Sequence, residues 1–279
     1  MNATNTLPNN LPETETLLLE QKEHALHITL NRPKVRNAMS LQMVNELMAV
    51  FESIESDDSI RALVIRGADG YFCAGGDIKD MAGARAALGN KAADDEDPFY
   101  ALNRAFGRMI TNANQLPQVV VVVTEGAVLG GGFGLACISD VALTLSSTKF
   151  GLPETGLGVI PAQIAPFVVK RIGLTQARRL ALLGARFDGA EALRLGIVHE
   201  CHDNTEALDT ALETVLQQIK RCAPQANRIT KKLILSVGDQ PLETLLDEAA
   251  KSFAASVQGA EGQEGTMAFV QKRDPSWFK

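Results

Sequence analysis

A run of five consecutive valines sets the strongest constraint on the fold of this chain. The valines fill the segment Gln118–Thr124, and such a β-branched run is typical of a strand that is buried on both faces. Strands of this kind occur in parallel sheets that helices cover on each side. Three further segments have strand character: Ala25–Leu30, Ile60–Arg66 and Val141–Leu145. Helical segments separate them, which predicts βαβ units and an α/β fold with a mainly parallel sheet.

Helical patterns fill the space between the strands and most of the C-terminal part. Ser40 can cap a helix that runs to about Ile54, and another helix is expected over Phe99–Gln115. After about Pro161, helices are predicted near residues 175–184, 188–196, 205–222, 224–236, 241–258 and 260–272. The patterns predict a disordered leader (1–14), an α/β core (15–205) and a helical C-terminal region (206–279). Ala82–Asp97 is predicted to be a mobile loop.

Composition excludes several classes of protein. The 279 residues include 27 Lys and Arg against 33 Asp and Glu, a net charge of −6, which disfavours a surface for nucleic acid or for an anionic membrane. No apolar run approaches the ~20 residues of a membrane span, and the first 20 residues lack the pattern of a signal peptide. The four cysteines are scattered, which favours a reducing, cytoplasmic location. The four histidines form two pairs without a third ligand, so no metal site is predicted.

Two glycine-rich turns form the candidate site. Phe72–Ile78 follows a predicted strand, and Val128–Gly134 lies between the valine strand and a short buried helix. Glycine permits positive φ and a close approach of ligand to backbone, and the start of a helix presents free N–H groups. Two such turns at the carboxyl ends of neighbouring strands can direct two N–H donors at one oxygen, as in an oxyanion hole. A single glycine-rich turn after a strand is more often a structural turn without a ligand. Neither turn has the spacing of a phosphate-binding or dinucleotide-binding loop.

The order of separated motifs gives the specific signal. In chain order they are Asn31–Pro33 with Asn37–Met39, Phe72–Ile78, Gly130–Gly132, Phe150–Glu154 and Gly158–Pro161. This order closely resembles the enoyl-CoA hydratase/isomerase (crotonase) superfamily over about residues 20–275. The resemblance implies a crotonase-like ββα spiral core with a helical C-terminal trimerisation region. It also implies a homotrimer or homohexamer, an acyl-CoA thioester as the substrate and no cofactor.

Residue by residue, the resemblance implies an acyl-CoA site. The backbone N–H groups of Gly76 and Gly131 match the oxyanion-hole positions, which bind the thioester oxygen and stabilise the enolate. Glu154 matches a catalytic glutamate, and a carboxylate in an apolar pocket has the raised pKa that suits proton exchange near neutral pH. The residues matched to the acyl-CoA path are Ala74, Gly76, Asp77, Ile78, Lys79, Gly131, Phe269 and Lys272. Phe269 and Lys272 match positions near the CoA nucleotide that a neighbouring subunit often supplies.

One position departs from the two-glutamate hydratases that the chain resembles. Their other glutamate falls at Gly134, so a single carboxylate must serve as both base and acid, or perform one proton shuttle. Restoring a glutamate at position 134 is therefore expected to test whether the pocket is otherwise hydratase-like. The stretch Ala162–Ile164 also departs from the common glycine-rich version, which predicts a differently shaped acyl pocket.

The stretches 126–137 and 150–167 look most like a bacterial subgroup, the isohexenylglutaconyl-CoA hydratases of acyclic terpene (citronellol, geraniol) degradation. These are similar to the 3-methylglutaconyl-CoA hydratases of leucine degradation. The resemblance implies hydration of a 3-branched 2-enoyl-CoA by Glu154, with Arg36 or Lys79 as candidate partners of a second substrate carboxylate. An enoyl-CoA double-bond isomerase that uses one glutamate is the alternative. A non-catalytic CoA-binding or RNA-binding member is a third hypothesis, and the acidic net charge disfavours RNA.

Overall fold

The valine run forms the fourth strand of a six-stranded sheet. The structure is a computed structural model that describes residues 11–92 and 95–278. Its strands are β1 (Leu17–Lys22), β2 (Ala25–Leu30), β3 (Ala62–Gly67), β4 (Val119–Thr124), β5 (Ala127–Leu129), β6 (Val141–Leu145), β7 (Lys149–Gly151), β8 (Arg186–Phe187) and β9 (Glu200–His202). The larger sheet has the order β1-β2-β3-β4-β6-β9. All its neighbours run parallel except β1 and β2, so the predicted α/β class is confirmed.

Helices cover both faces of this sheet. They are α1 (Leu41–Ile54), α2 (Ile78–Gly89), α3 (Pro98–Gln115), α4 (Gly131–Ile138), α5 (Ala165–Leu182), α6 (Gly189–Arg194), α7 (Thr205–Arg221), α8 (Pro224–Leu235), α9 (Leu242–Gln258) and α10 (Ala260–Gln271). Val120 and Val122 point into the larger core, which also contains residues of α1, α3 and α4. Val121 and Val123 point into a second core under α7. The alternation explains why the strand needs apolar residues on both faces.

A smaller sheet of order β5-β7-β8 was not predicted from the sequence. Its strands have only two or three residues, too few to show a periodic pattern. Phe133, Phe150 and Phe187 pack together beside it, and the rings of Phe150 and Phe187 stack 5.8 Å apart. The small sheet fixes the turn after β5 and the segment after β7, and these carry Gly131 and Glu154.

Three details of the sequence prediction are corrected. The first half of the predicted mobile loop Ala82–Asp97 is helical, since α2 extends to Gly89, while residues 93–94 lie outside the described residues. The helix predicted to start at Thr175 begins ten residues earlier in the chain, at Ala165, with a non-helical Gly173 (φ 76°) inside it. Of the predicted disordered leader, residues 1–10 lie outside the described residues, and Leu11 already packs against the core.

The C-terminal helices lie at the end of the sheet that holds the amino ends of the parallel strands. Arg61 immediately precedes β3, and its guanidinium donates to the backbone oxygen of Trp277 (2.8 Å). The indole N–H of Trp277 in turn donates to the backbone oxygen of Arg221 at the end of α7. This end of the molecule is opposite the carboxyl ends of the strands. None of the helices in the described ranges combines the length and the apolarity that crossing a lipid bilayer requires.

Candidate active site

An isolated β-bridge between Cys73 and Val128 joins the two glycine-rich turns. The N–H of Cys73 donates to the oxygen of Ala127 (2.9 Å), and the N–H of Leu129 donates to the oxygen of Cys73 (3.0 Å). Each turn then passes through a glycine with positive φ: Gly75 at 106° and Gly130 at 50°. A Cβ on Gly130 would lie 3.5 Å from the Cα of Gly75. The two turns therefore touch through their backbones, and only glycine adopts these conformations readily.

The residue after each of these two glycines carries a free N–H. Met39 donates to Gly75 and accepts from Asp77, and in this parallel bridge the N–H of Gly76 points away from Met39. Gly131 is the first residue of α4, where backbone N–H groups have no helical partner. Within the described residues, neither the Gly76 nor the Gly131 N–H donates to a protein acceptor. Two free donors on adjoining turns can bind one anionic oxygen, as an oxyanion hole requires.

Glu154 lies against the same turns. It begins a short 3₁₀ helix, Glu154–Leu157, two residues beyond the buried Leu152. A Cβ on Gly130 would lie 3.2 Å from Glu154 Oε1. Glu154 Oε2 is buried and has no hydrogen-bond partner among the described residues. Burial raises the pKa of this carboxyl, against a smaller opposing effect of a hydrogen bond from its own backbone, so the group can exchange a proton at a pH nearer neutrality than an exposed glutamate.

The position of the missing glutamate is closed by an aliphatic side chain. A Cβ on Gly134 would overlap Ile164 Cγ2 and lie 3.5 Å from Ile110 Cδ1. Ile164 and Ile110 are both buried, so neither can turn into solvent without losing its apolar contacts. A glutamate at position 134 would therefore need Ile164 to move, which favours the outcome in which Gly134→Glu gives no gain of activity because the pocket has diverged.

The side chain of Asp77 is engaged with groups of its own chain. It is buried, its carboxylate accepts from the Lys79 N–H at the start of α2 (2.8 Å), and it pairs with Arg32 (2.6 Å). Burial alone would raise the pKa of Asp77, but the Lys79 N–H and Arg32 outweigh it and lower the pKa. Arg32 also donates to the oxygen of Ala38. The pair fixes the turn that presents Gly76.

The other residues matched to the acyl-CoA path lie in two separate regions of the structure. Ala74, Ile78 and Lys79 lie on the turn and on the first residues of α2, and the Ile78 side chain is 83% exposed. Phe269 and Lys272 lie in α10 and at its end, with Phe269 86% exposed. α10 lies at the amino ends of the parallel strands, and the glycine turns lie at their carboxyl ends. Phe269 and Lys272 therefore do not reach the glycine turns of their own chain.

Sequence reasoning missed the contribution of α3 to the site. A Cβ on Gly131 would lie 3.0 Å from the Phe106 ring. Ile110, one turn further along, faces Gly134. The apolar spacing on this helix predicts a buried face but does not say what that face covers. No group of three or more His, Cys, Asp or Glu side chains in the described part of the chain is arranged to hold a metal ion.

Comparison with known proteins agrees with this geometry. A sequence model described as enoyl-CoA hydratase/isomerase matches residues 20–279. The structure of Pseudomonas aeruginosa AtuE is 62% identical and superposes with a TM-score of 0.91, covering 95% of this chain and 100% of that one. An enoyl-CoA hydratase/isomerase structure from Marinobacter aquaeolei is 59% identical, with a TM-score of 0.91 and coverage of 95% and 99%.

A curated relative, the mevalonyl-coenzyme A hydratase SIDH of Beauveria bassiana, is 31% identical over 261 residues, which are 91% of each chain. The family match spans the glycine turns, the Glu154 segment and the C-terminal helices together. These agreements over nearly the whole chain, with the paired turns and the crotonase-like architecture, show that the protein belongs to the enoyl-CoA hydratase/isomerase family.

Proposed function

We propose that the protein is a hydro-lyase that adds water to a 3-branched 2-enoyl-CoA, with isohexenylglutaconyl-CoA or 3-methylglutaconyl-CoA as the substrate. The observation that carries the proposal is the half-buried Glu154, whose buried Oε2 has no partner among the described residues, beside two free backbone N–H groups. The thioester oxygen accepts from Gly76 and Gly131, so that negative charge forming there is stabilised. No cofactor is needed, since CoA is part of the substrate.

A single carboxylate is sufficient for the proposed syn addition. Ionised Glu154 removes a proton from water as the water oxygen bonds to C3 of the enoyl group. The electrons of the C2=C3 bond move towards the thioester and form an enolate held by the two N–H groups. Glu154, now protonated, returns that proton to C2 on the same face. The raised pKa of Glu154 suits both halves, because a group that must accept and then donate a proton works best when its pKa is near the working pH.

The choice of acyl group is supported by the resemblance of the 126–137 and 150–167 stretches to the isohexenylglutaconyl-CoA hydratases. These stretches contain Gly134 and Ile164, which replace a second carboxylate by an aliphatic contact. A branched acyl chain at C3 needs an apolar wall, and a buried isoleucine supplies one.

We further propose that the enzyme works as a homotrimer or homohexamer in the cytoplasm. Phe269 and Lys272 then reach the CoA nucleotide of a neighbouring subunit. Large apolar side chains are exposed on the C-terminal helices, with Phe253 72% and Val270 80% exposed, and exposed apolar patches of this kind suit contacts between subunits. The four cysteines are free thiols, which is the state a reducing compartment maintains.

A panel of acyl-CoA thioesters tests the proposed reaction. Purified enzyme is incubated with crotonyl-, 3-methylglutaconyl-, isohexenylglutaconyl- and 3-enoyl-CoA, and each product is separated from its substrate by chromatography and identified by mass. The proposal expects the two glutaconyl thioesters to gain the mass of one water at the highest rates. Products of unchanged mass from the 3-enoyl thioester, without water uptake by any 2-enoyl thioester, would contradict it.

Double-bond isomerisation is the second candidate, because the site contains one carboxylate and Gly134 takes the place of the other. In that reaction Glu154 moves a proton from one carbon of the substrate to another, and no water is added. The same panel separates the two reactions, because hydration adds the mass of one water and isomerisation gives a product of unchanged mass with a different chromatographic retention time.

A further inference from the structure

The loop of residues 31–40, which connects β2 to α1, lies alongside the first glycine-rich turn. It contains the first two of the ordered motifs, but it supplies neither the carboxylate nor the N–H donors of the proposed reaction. The N–H of Met39 donates to the oxygen of Gly75 (2.8 Å), and the oxygen of Met39 accepts from the N–H of Asp77 (3.0 Å). The backbone of the loop is therefore paired with both neighbours of Gly76, whose N–H is one of the two free donors.

Asn37 fastens this loop to the start of the turn. Its side chain is fully buried, and its Nδ2 donates to the backbone oxygens of Ala68 (3.0 Å) and Tyr71 (2.6 Å). Its Oδ1 accepts from the N–H of Arg32 within the loop (2.8 Å). Both polar atoms of this buried side chain thus have partners, as buried polar groups require, and the partners join the loop to the residue that precedes Phe72.

Arg32 fastens the same loop to the end of the turn. One nitrogen of its guanidinium, Nη1, donates to the oxygen of Ala38, and the other, Nη2, pairs with Asp77 Oδ2 (2.6 Å). The other oxygen of Asp77 accepts from the N–H of Lys79 and caps α2. The side chain of Arg32 is 22% exposed and that of Asp77 is 8% exposed, so water screens this pair less than a surface pair. The planar fork therefore joins the two backbone segments that flank Gly76.

The two N–H donors are held in place by different means. Gly131 begins α4, in which all residues of Gly132–Ile138 are buried, so the packing of that helix fixes the donor. Gly76 precedes α2, which buries only Ala84. A Cβ on Gly76 would meet no atom of the described residues within 4 Å. Packing therefore does little to fix Gly76, and its position depends on the contacts of the turn with the loop.

We propose that Arg32 is a positioning residue of the oxyanion hole: by joining Ala38 to Asp77, it keeps the Gly76 N–H directed at the thioester oxygen. The inference rests on the proposed function, because the enolate of that reaction is what the donor stabilises. Arg32 acts through the turn and not by contact with the substrate. Its loss should therefore weaken binding of the charge that develops during the reaction more than binding of the uncharged thioester.

Bound acetoacetyl-CoA reports on the donors without turnover. This thioester has no double bond to hydrate, and loss of a proton from C2 gives an enolate that absorbs in the near ultraviolet. Donors at the thioester oxygen favour the enolate and lower the pH at which it forms. The absorbance of the complex is titrated with pH for the wild-type protein and three variants. The Kd of butanoyl-CoA and the free energy of unfolding are measured for each protein.

Two of the variants break the contact of Arg32 in different ways. Arg32→Lys keeps the positive charge but lacks the planar fork that reaches Ala38 and Asp77 together. Asp77→Asn has nearly the same shape, but its single side-chain oxygen cannot serve both Arg32 and the N–H of Lys79.

Asp140→Asn is the matched control. Asp140 also pairs with a cation, Lys231, and also accepts from a backbone N–H, that of Val120. It lies beside the amino ends of β4 and β6, at the opposite end of the sheet from the glycine turns. The control therefore removes an equivalent ion pair without touching the site.

The wild-type complex should form the enolate at a lower pH than free acetoacetyl-CoA. Arg32→Lys and Asp77→Asn should each raise that pH by about one unit, which is a tenfold loss of enolate stabilisation. They should lower kcat on the best substrate of the panel about tenfold and change the Kd of butanoyl-CoA by less than about threefold. Asp140→Asn should lose stability but keep the wild-type enolate titration.

An unchanged enolate titration in either folded variant overturns the proposal, and so does an equal shift in Asp140→Asn, which would make the effect one of general stability. A wild-type complex that does not favour the enolate also overturns it, since no oxyanion hole would then need positioning. Failure of the proposed hydration has a different signature. In that case the enolate titration still depends on Arg32, while 3-methylglutaconyl-CoA takes up no water in the product panel.

Discussion

The surroundings of residues 154 and 134 differ sharply, although both residues lie beside the turn that carries Gly131. At position 154 one carboxylate oxygen, Oε2, is buried without a partner among the described residues. At position 134 there is no side chain, and Ile164 occupies the space where one would go. The difference teaches that position 154 holds the one carboxylate that the proposed reaction can use, while position 134 is given over to apolar packing. All proton transfer in the proposed reaction therefore depends on Glu154.

Of the tests of this comparison, removing the carboxylate at position 154 has the largest expected effect. Glu154→Gln should lower kcat on the order of a thousandfold, because no second group can take its role. Acyl-CoA binding, measured by calorimetry, should change little. The free energy of unfolding should not decrease, since the change removes a buried carboxylate whose ionised form burial disfavours. Activity near the wild-type level would remove Glu154 from the mechanism.

Removing one N–H donor from the turn between the two positions is the next largest test. Gly131→Pro should lower kcat about a hundredfold to a thousandfold, since proline has no N–H. The first position of a helix tolerates proline, so α4 should still form. Gly131→Ala is the matched control: its Cβ also meets Phe106 at about 3.0 Å, but it keeps the N–H. Equal kinetics of the two variants would show that crowding, and not the lost donor, is responsible.

A side chain placed at position 134 tests whether Ile164 fills the space there. Gly134→Glu should lose about 1–3 kcal/mol of stability in denaturant unfolding and gain no activity on crotonyl-CoA. Combining it with Ile164→Ala removes the Cγ2 atom that the new Cβ would overlap, so part of the stability should return. A single Gly134→Glu variant with wild-type stability would show that Ile164 does not close this space.

The smallest expected effect is the pH dependence of the wild-type enzyme. Burial raises the pKa of Glu154, and the proposed reaction begins with the ionised form. As the pH falls through that raised pKa, the ionised form is lost and kcat/KM should decline. The decline should begin at a higher pH than for an exposed glutamate. A rate that stays constant down to the ordinary glutamate range would contradict the burial effect.

Much of the fold could be predicted because its signals are local. The valine strand, the helix after Ser40 and the C-terminal helices each show their periodicity within one segment, and the structure has them within a few residues of their predicted ends. β1 was missed because it pairs on one side only and buries only Leu17 fully. α2 was taken for a loop because it is made largely of small residues and buries only Ala84, so it has no apolar stripe.

For the site, the sequence predicted the main residues but not the contacts between them. The glycine turns and Glu154 were found from motif order, and the structure brings Gly76, Gly131 and Glu154 together. The contact of Ile164 with Gly134 could not be predicted, since it joins residues from different elements and leaves no periodic signal.

The bridge between Cys73 and Val128 also dictates when during folding the site comes into existence. The two N–H donors are far apart in the chain, and they adjoin only after β3 and β4 are paired and the turns beyond them have met. Contacts between distant segments form slowly, because the intervening chain must first be ordered. A refolding chain can regain helical content long before it regains this pair of donors, so recovery of catalysis reports a late, long-range step of folding rather than the formation of secondary structure.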